Sequence, residues 1–272
     1  MPNIVVFMVV KDVSKKQSLF EEVVAQASKI SDCFYVVDHG STDGTDRMIH
    51  MFADQHAFSV ELIHEPHAAG NMDEMKGKHY RILGARAKSG SGRPFVLLLD
   101  WDEVMSDALI WEIAEQTLTE DVYLLNRQTF FLGKVIDRGT FLPLLFRPEW
   151  LEVWAFKKVH DLYRIHSKKV RKLINPVFHY SFENVREAID KTRFYAEIEG
   201  KELFASRPNS YKCFIGFQLL WKAGLYFVHS LIKYRNFLHV EGWAYASWIF
   251  SSYLMQYMYY LEASNTSKTP KN

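Results

Sequence analysis

"FVLLLDWDEVMS", Phe95 to Ser106, decides how the chain is read. The apolar run Phe95–Leu99 leads directly into Asp100, Trp101, Asp102 and Glu103. A short apolar run that stops at a polar turn reads as a buried strand. The three carboxylates at its end repel one another, and desolvating them is costly unless something positive compensates. One reading is a solvated acidic turn. The other is a site for a divalent cation, since magnesium and manganese take hard oxygen ligands.

The 272 residues suffice for one large domain or two small ones, and an apolar share of 48% supports a real core. A net charge of +1 gives no bulk attraction to nucleic acid, so no nucleic-acid partner is expected. Cys33 and Cys213 are the only cysteines, which excludes a disulfide framework and suits a reducing, cytoplasmic compartment. The opening "MPNIVVFMVVKD" lacks a basic leader, and Ile4–Val10 reads as a buried strand.

Outward from Phe95 the first half alternates in period. Strands are expected at Ile4–Val10, Cys33–Val37, Val60–His64, Phe95–Leu99 and Val122–Asn126. Helices are expected at Ser18–Ile30, Thr45–His56, Gly77–Ala87 and Asp107–Gln116. Such an order predicts an α/β fold with a mainly parallel sheet covered by helices. Ligands of such sheets bind beyond the carboxyl ends of the strands. Asp38 and the Asp100–Glu103 cluster are both expected at such ends, facing one crevice.

The middle, Thr129 to Ile174, reads as short strands and loops forming the other wall. A boundary is expected near Asn175–Pro176, giving a catalytic domain at 1–175 and a helical region at 176–272. That region holds one helix over Glu183–Phe204, then two aromatic-rich helices, then a polar tail from about residue 264 that is expected to be disordered. Trp243–Leu261 contains no charged residue, but Ser, Tyr, Gln and Trp dilute it below a membrane span. Three uses of the aromatic helices stay open: packing on the catalytic domain, contact with a second subunit, and peripheral attachment to a membrane.

The second informative stretch is "YVVDHGSTDGT", Tyr35 to Thr45. A strand delivers Asp38, and Gly40, Ser41 and Gly44 let the backbone approach a ligand closely. Asp38 could accept hydrogen bonds from a nucleobase or ribose, or close an Asx turn. Ligand contact is the favoured reading for Asp38, and a turn or capping role for Asp43.

These motifs together resemble family 2 glycosyltransferases of the GT-A fold. "VVDHGSTDGT" is followed some sixty residues later by "FVLLLDWDE", then by "LLFRPEWLEVWAFKKVHDLYRI" and "FHYSFENVREAIDKTRFYA". The last is similar to the His-Tyr and Lys-x-x-x-Tyr region of bacterial lipopolysaccharide-core and capsule glycosyltransferases. The resemblance implies an inverting, metal-dependent transferase. It would take a nucleotide-sugar donor, for which a UDP-sugar is the expectation, and a saccharide or lipid-linked saccharide acceptor. It implies Mn2+ or Mg2+ held by Asp102, with Asp100 on the ribose or a metal-bound water and His179 joining the metal or diphosphate. Trp101 replaces the usual small residue and is expected on the opposite face. Glu103 is expected behind the metal or against the sugar. Asp161, in "VHDL", matches the position of the base that deprotonates the acceptor. "KGKHYRILGAR" supplies basic residues on a helix, of which Lys78 and Arg81 share a face and are expected to meet the donor.

Two rivals remain. "LLLDWDEV" also satisfies the DxDx[TV] signature of haloacid-dehalogenase-type phosphatases, whose first Asp is a nucleophile. That chemistry needs a later acidic pair at another strand end, no such Asp-Asp element follows Glu103, and Asp38 would be left unexplained. The second rival is a non-catalytic domain of the same fold that docks through its aromatic helices.

Overall fold

In a computed structural model the described residues are 3–65, 72–89, 94–115, 117–154, 162–182, 184–207, 212–233 and 236–266. The strands are β1 (Ile4–Val10), β2 (Cys33–Asp38), β3 (Ser59–His64), β4 (Phe95–Leu98), β5 (Glu103–Met105), β6 (Val122–Phe131), β7 (Lys134–Phe146), β8 (Leu151–Trp154), β9 (Leu162–Ile165) and β10 (Val170–Phe182). The helices are α1 (Gln17–Ala27), α2 (Thr45–His56), α3 (Met72–Ser89), α4 (Asp107–Glu115), α5 (Val185–Ser206), α6 (Lys212–Lys233) and α7 (Val240–Thr266).

An eight-stranded sheet runs in the order β3-β2-β1-β4-β7-β6-β10-β5, with β8 and β9 paired separately. β1 pairs in parallel with β2 and with β4, and β2 with β3. This half follows from the helical crossovers α1, α2 and α3, since parallel strands need long connections. Its inner strands β1, β2 and β4 are buried on both faces and so are almost continuously apolar, with only Val5 of β1 and Cys33 of β2 partly exposed, whereas the edge strand β3 alternates exposed and half-buried residues. Helix α1 covers the sheet with Phe20, Val23, Val24 and Ala27, spaced at i, i+3, i+4 and i+7. The other half is antiparallel where β4 meets β7 and where β10 meets β5. The α/β class and mainly parallel first half are as the alternating periods predict.

The middle region differs from expectation. Besides the short strands β8 and β9 that were expected, it holds the long strand β7 and the ends of the long strands β6 and β10. β6 and β7 are joined by Leu132 and Gly133, both with positive φ (50° and 78°). A two-residue loop of that geometry matches the twist of a hairpin. β10 passes without a break through Asn175–Pro176. Pro176 lacks an N–H, but its carbonyl accepts from Ser106 N at 3.1 Å, and β5 pairs only from Val177 onward.

The chain divides into two compact units, Met1–Gln128 with Gly139–Tyr180 and Thr129–Arg138 with Ser181–Asn272. In the second, α5 begins at Asn184, whose side chain caps the N–H of Glu187 at 2.9 Å. α5 and α7 cross closely at Gly200, where a Cβ would lie 2.6 Å from the carbonyl oxygen of Gln256. α6 meets α7 in the same way at Gly216, where a Cβ would lie 2.7 Å from the Tyr257 ring. Trp248 donates its indole N–H to Thr192 Oγ1 and packs edge-on against Phe182, the centroids 5.2 Å apart.

Candidate active site

The parallel register sets the site. Val10 stands beside Asp38, and Asp38 beside His64, so β1, β2 and β3 end together. Phe7 pairs with Leu98, which brings Leu99 and Asp100 to that same carboxyl edge. Both acidic motifs therefore leave the sheet on one side.

At the first motif, Asp38 is only 2% exposed. Its Oδ1 accepts from Ser41 N at 2.9 Å and Ser41 Oγ at 2.5 Å, and its Oδ2 lies 3.3 Å from His64 Nδ1. Sequence reading favoured a direct ligand contact. In the structure the carboxylate ties down its own turn through Ser41, three residues on, and that turn passes through Gly40, whose φ is 77°. Asp12, which carried no sequence signal, ties the end of β1 to this turn, accepting from Thr42 N at 2.9 Å. Asp43 accepts from the backbone and hydroxyl of both Ser14 and Thr45. Burial alone would raise its pKa, but these four hydrogen bonds hold it down to about 2. Its role is structural, as expected.

At the second motif the carboxylates meet two cations. Lys76, 8% exposed on α3, donates to Asp100 Oδ1 at 3.1 Å. Arg127 on β6 places Nε 2.8 Å from Glu103 Oε1. Burial would raise the Asp100 pKa, yet Lys76, Arg127 and His179 bring it to about 2. Glu103 moves the other way. Burial pushes it up to about 7, opposed by Arg127 and assisted by Asp100 and Asp102. Asp102, 5% exposed, lies 3.6 Å from His179 Nε2. His179 comes from β10, directly across the ladder from Glu103, and Arg127 is 2.8 Å from its Nε2. Trp101 packs against the core with Lys16 over its ring, 5.3 Å from the centroid.

The structure thus brings Asp100, Asp102, Glu103 and His179 together. Lys78 and Arg81 go elsewhere: Lys78 pairs with Glu65, and Arg81 donates to the carbonyl of Gly77 on its own helix at 3.3 Å. Lys76 takes the place expected of them. Arg127 was missed because β6 was expected to stop at Asn126. Asp161 lies outside the described residues.

Among the described residues no group of three or more His, Cys, Asp and Glu side chains is gathered as a metal cage. The donor chemistry still fits a divalent cation shared with a ligand. Asp102 offers carboxylate oxygen and His179 imidazole nitrogen, and such ions commonly take one or two carboxylates and complete their shell with phosphates and water.

No family model matches the chain, and no curated protein matches it. Solved structures do. The mannosyltransferase PcManGT from Pyrobaculum calidifontis, in complex with GDP-Man and Mn2+, aligns over 96% of this chain and 87% of its own, at 13% identity and a TM-score of 0.51. S. aureus TarS 1–349 aligns over 100% of this chain and 93% of its own, at 13% identity and a TM-score of 0.49. The same TarS fragment in complex with UDP-GlcNAc gives 13% identity and a TM-score of 0.48 over the same shares. The fold is that of GT-A glycosyltransferases, and at these identities the likeness concerns the fold alone.

Proposed function

We propose that this protein is an inverting, metal-dependent glycosyltransferase. It moves a sugar from a nucleoside-diphosphate sugar, a UDP-sugar first, to a saccharide or lipid-linked saccharide in cell-envelope glycan synthesis. The observation that carries this reading is the Asp100–Asp102–Glu103 cluster, with Lys76, Arg127 and His179 around it, at the carboxyl edge of the parallel strands.

The turn held by Asp38 forms the floor for the nucleoside. Asp102 and His179 would hold Mn2+ or Mg2+, which when bound neutralises charge on the leaving diphosphate. Lys76 keeps Asp100 ionised and adds positive charge beside the departing group. Arg127 orients Glu103 and His179. Asp161 is the proposed base, on the motif resemblance. It takes the acceptor hydroxyl proton as that oxygen attacks the anomeric carbon, and the bond to the diphosphate oxygen breaks with its electron pair leaving on the nucleotide.

A thermal-shift screen of nucleotide sugars with manganese tests the reading, because a ligand of the folded state raises Tm. A shift with one donor, followed by metal-dependent hydrolysis of that donor, is expected. A donor that binds without being hydrolysed or transferred would favour the non-catalytic docking domain.

A further inference from the structure

Helix α6 is apolar on two opposite faces. One is buried, with Ile215, Leu219 and Ala223 turned inward, and Gly216 set against Tyr257 of α7. The other carries Phe214, Phe217, Trp221, Leu225, Val228 and Ile232. Their spacing of three and four residues places all six on one narrow stripe. Each of these side chains is between 51% and 67% exposed. Over 18 residues at 1.5 Å per residue the stripe runs roughly 27 Å. A helix that is apolar all round is normally buried all round, and an exposed apolar patch of this length marks an interaction surface.

The charges of α6 select the occupant. Its sequence contains Lys212, Lys222 and Lys233 and no Asp or Glu. Lys222 is exposed beside Trp221. Lys222 follows Trp221 by one residue and so flanks the stripe, and two copies joined through it would meet there with no carboxylate of α6 as counter-charge. An anionic lipid surface supplies the counter-charge and takes up the apolar row, as it does for helices lying in the headgroup plane. We infer that the outer face of α6 is a lipid-docking surface that seats the protein on an anionic membrane. This surface is independent of the catalytic reading and stands or falls without it.

The test is flotation of the full chain with vesicles of phosphatidylcholine alone and of phosphatidylcholine with phosphatidylglycerol. The wild type is expected to float with the anionic vesicles, and high salt, which screens the lysines, should release part of it. Phe217→Ser with Trp221→Ser should lower partitioning about tenfold or more, since apolar burial scales with area removed from water. Far-UV circular dichroism and Tm should stay near wild type, because both side chains are exposed. Lys222→Glu, which leaves the apolar row intact, should weaken binding to the anionic vesicles only. A wild type that stays soluble with anionic vesicles, or a double variant that floats as well as the wild type, would overturn the inference. So would a dimer that the double variant splits in sedimentation equilibrium, which would assign the face to a second copy.

Discussion

Lys76 reaches from helix α3 to Asp100 at the end of β4, its Nζ 3.1 Å from Oδ1. The pair answers the question that three adjacent carboxylates raise. Lys76 is nearly buried and Asp100 keeps about a third of its side chain in solvent, so the two behave as a partly screened pair.

Lys76→Met removes the cation and leaves the carboxylate cluster under-compensated. We expect a loss of about 1–2 kcal/mol in urea unfolding, below the 3–5 typical of a fully buried pair because Asp100 is partly solvated. Donor affinity should fall with it. Unchanged unfolding and unchanged affinity together would remove Lys76 from the site.

Asp43 sets a pH dependence. Its folded pKa of about 2 lies below its ordinary 3.8, so the stability it contributes is present above about pH 4 and is lost as pH falls toward 2. The urea midpoint of the wild type should exceed that of Asp43→Asn at pH 6, and the gap should close toward pH 2. A gap that persisted at pH 2 would assign the effect to hydrogen-bond geometry rather than charge.

Gly200→Ala tests the packing of α5 on α7. The new Cβ would lie 2.6 Å from the carbonyl oxygen of Gln256 and 2.8 Å from Tyr259 Cβ, so backbone must move. Overpacking of this kind costs about 1–3 kcal/mol. A lowered Tm is expected, and an unchanged Tm would show that the crossing can open without penalty.

Much of the first half was legible because burial there follows local period. α2 begins and ends at Thr45 and His56, where sequence alone set it, since Gly44 and Ala57 flank it in left-handed conformations. Asp38 and Asp100 were legible as strand ends for the same reason. The basic partner was not. Lys76 stands among the basic residues read on this helix, but the i, i+3 spacing of Lys78 and Arg81 points to that pair as the face that meets the donor. The helix begins at Met72, which puts Lys76 on the face of Tyr80 and Leu83, at i+4 and i+7. A lysine in register with an apolar stripe was the available signal. β10 was obscured by Pro176, which reads as a breaker until the shortness of β5 explains how it is tolerated. Arg127 depends on pairing between strands distant in sequence, which local period does not report.

Asp102→Asn should leave the fold intact and abolish transfer, because it alters one buried carboxylate oxygen without changing volume. The comparison that matters is between transfer and Tm on the same preparation. Transfer near the wild-type rate would move the metal role away from Asp102.

The central claim is a cation-assisted site for a nucleoside diphosphate at the carboxyl edge of the sheet. Calorimetric titration of UDP into the protein, with manganese and then with EDTA, tests it most directly. Tight binding is expected with manganese, with at least about tenfold weaker binding in EDTA, a difference near 1.4 kcal/mol or more, and loss of the manganese effect in Asp102→Asn. Equal affinity with manganese and with EDTA would contradict it.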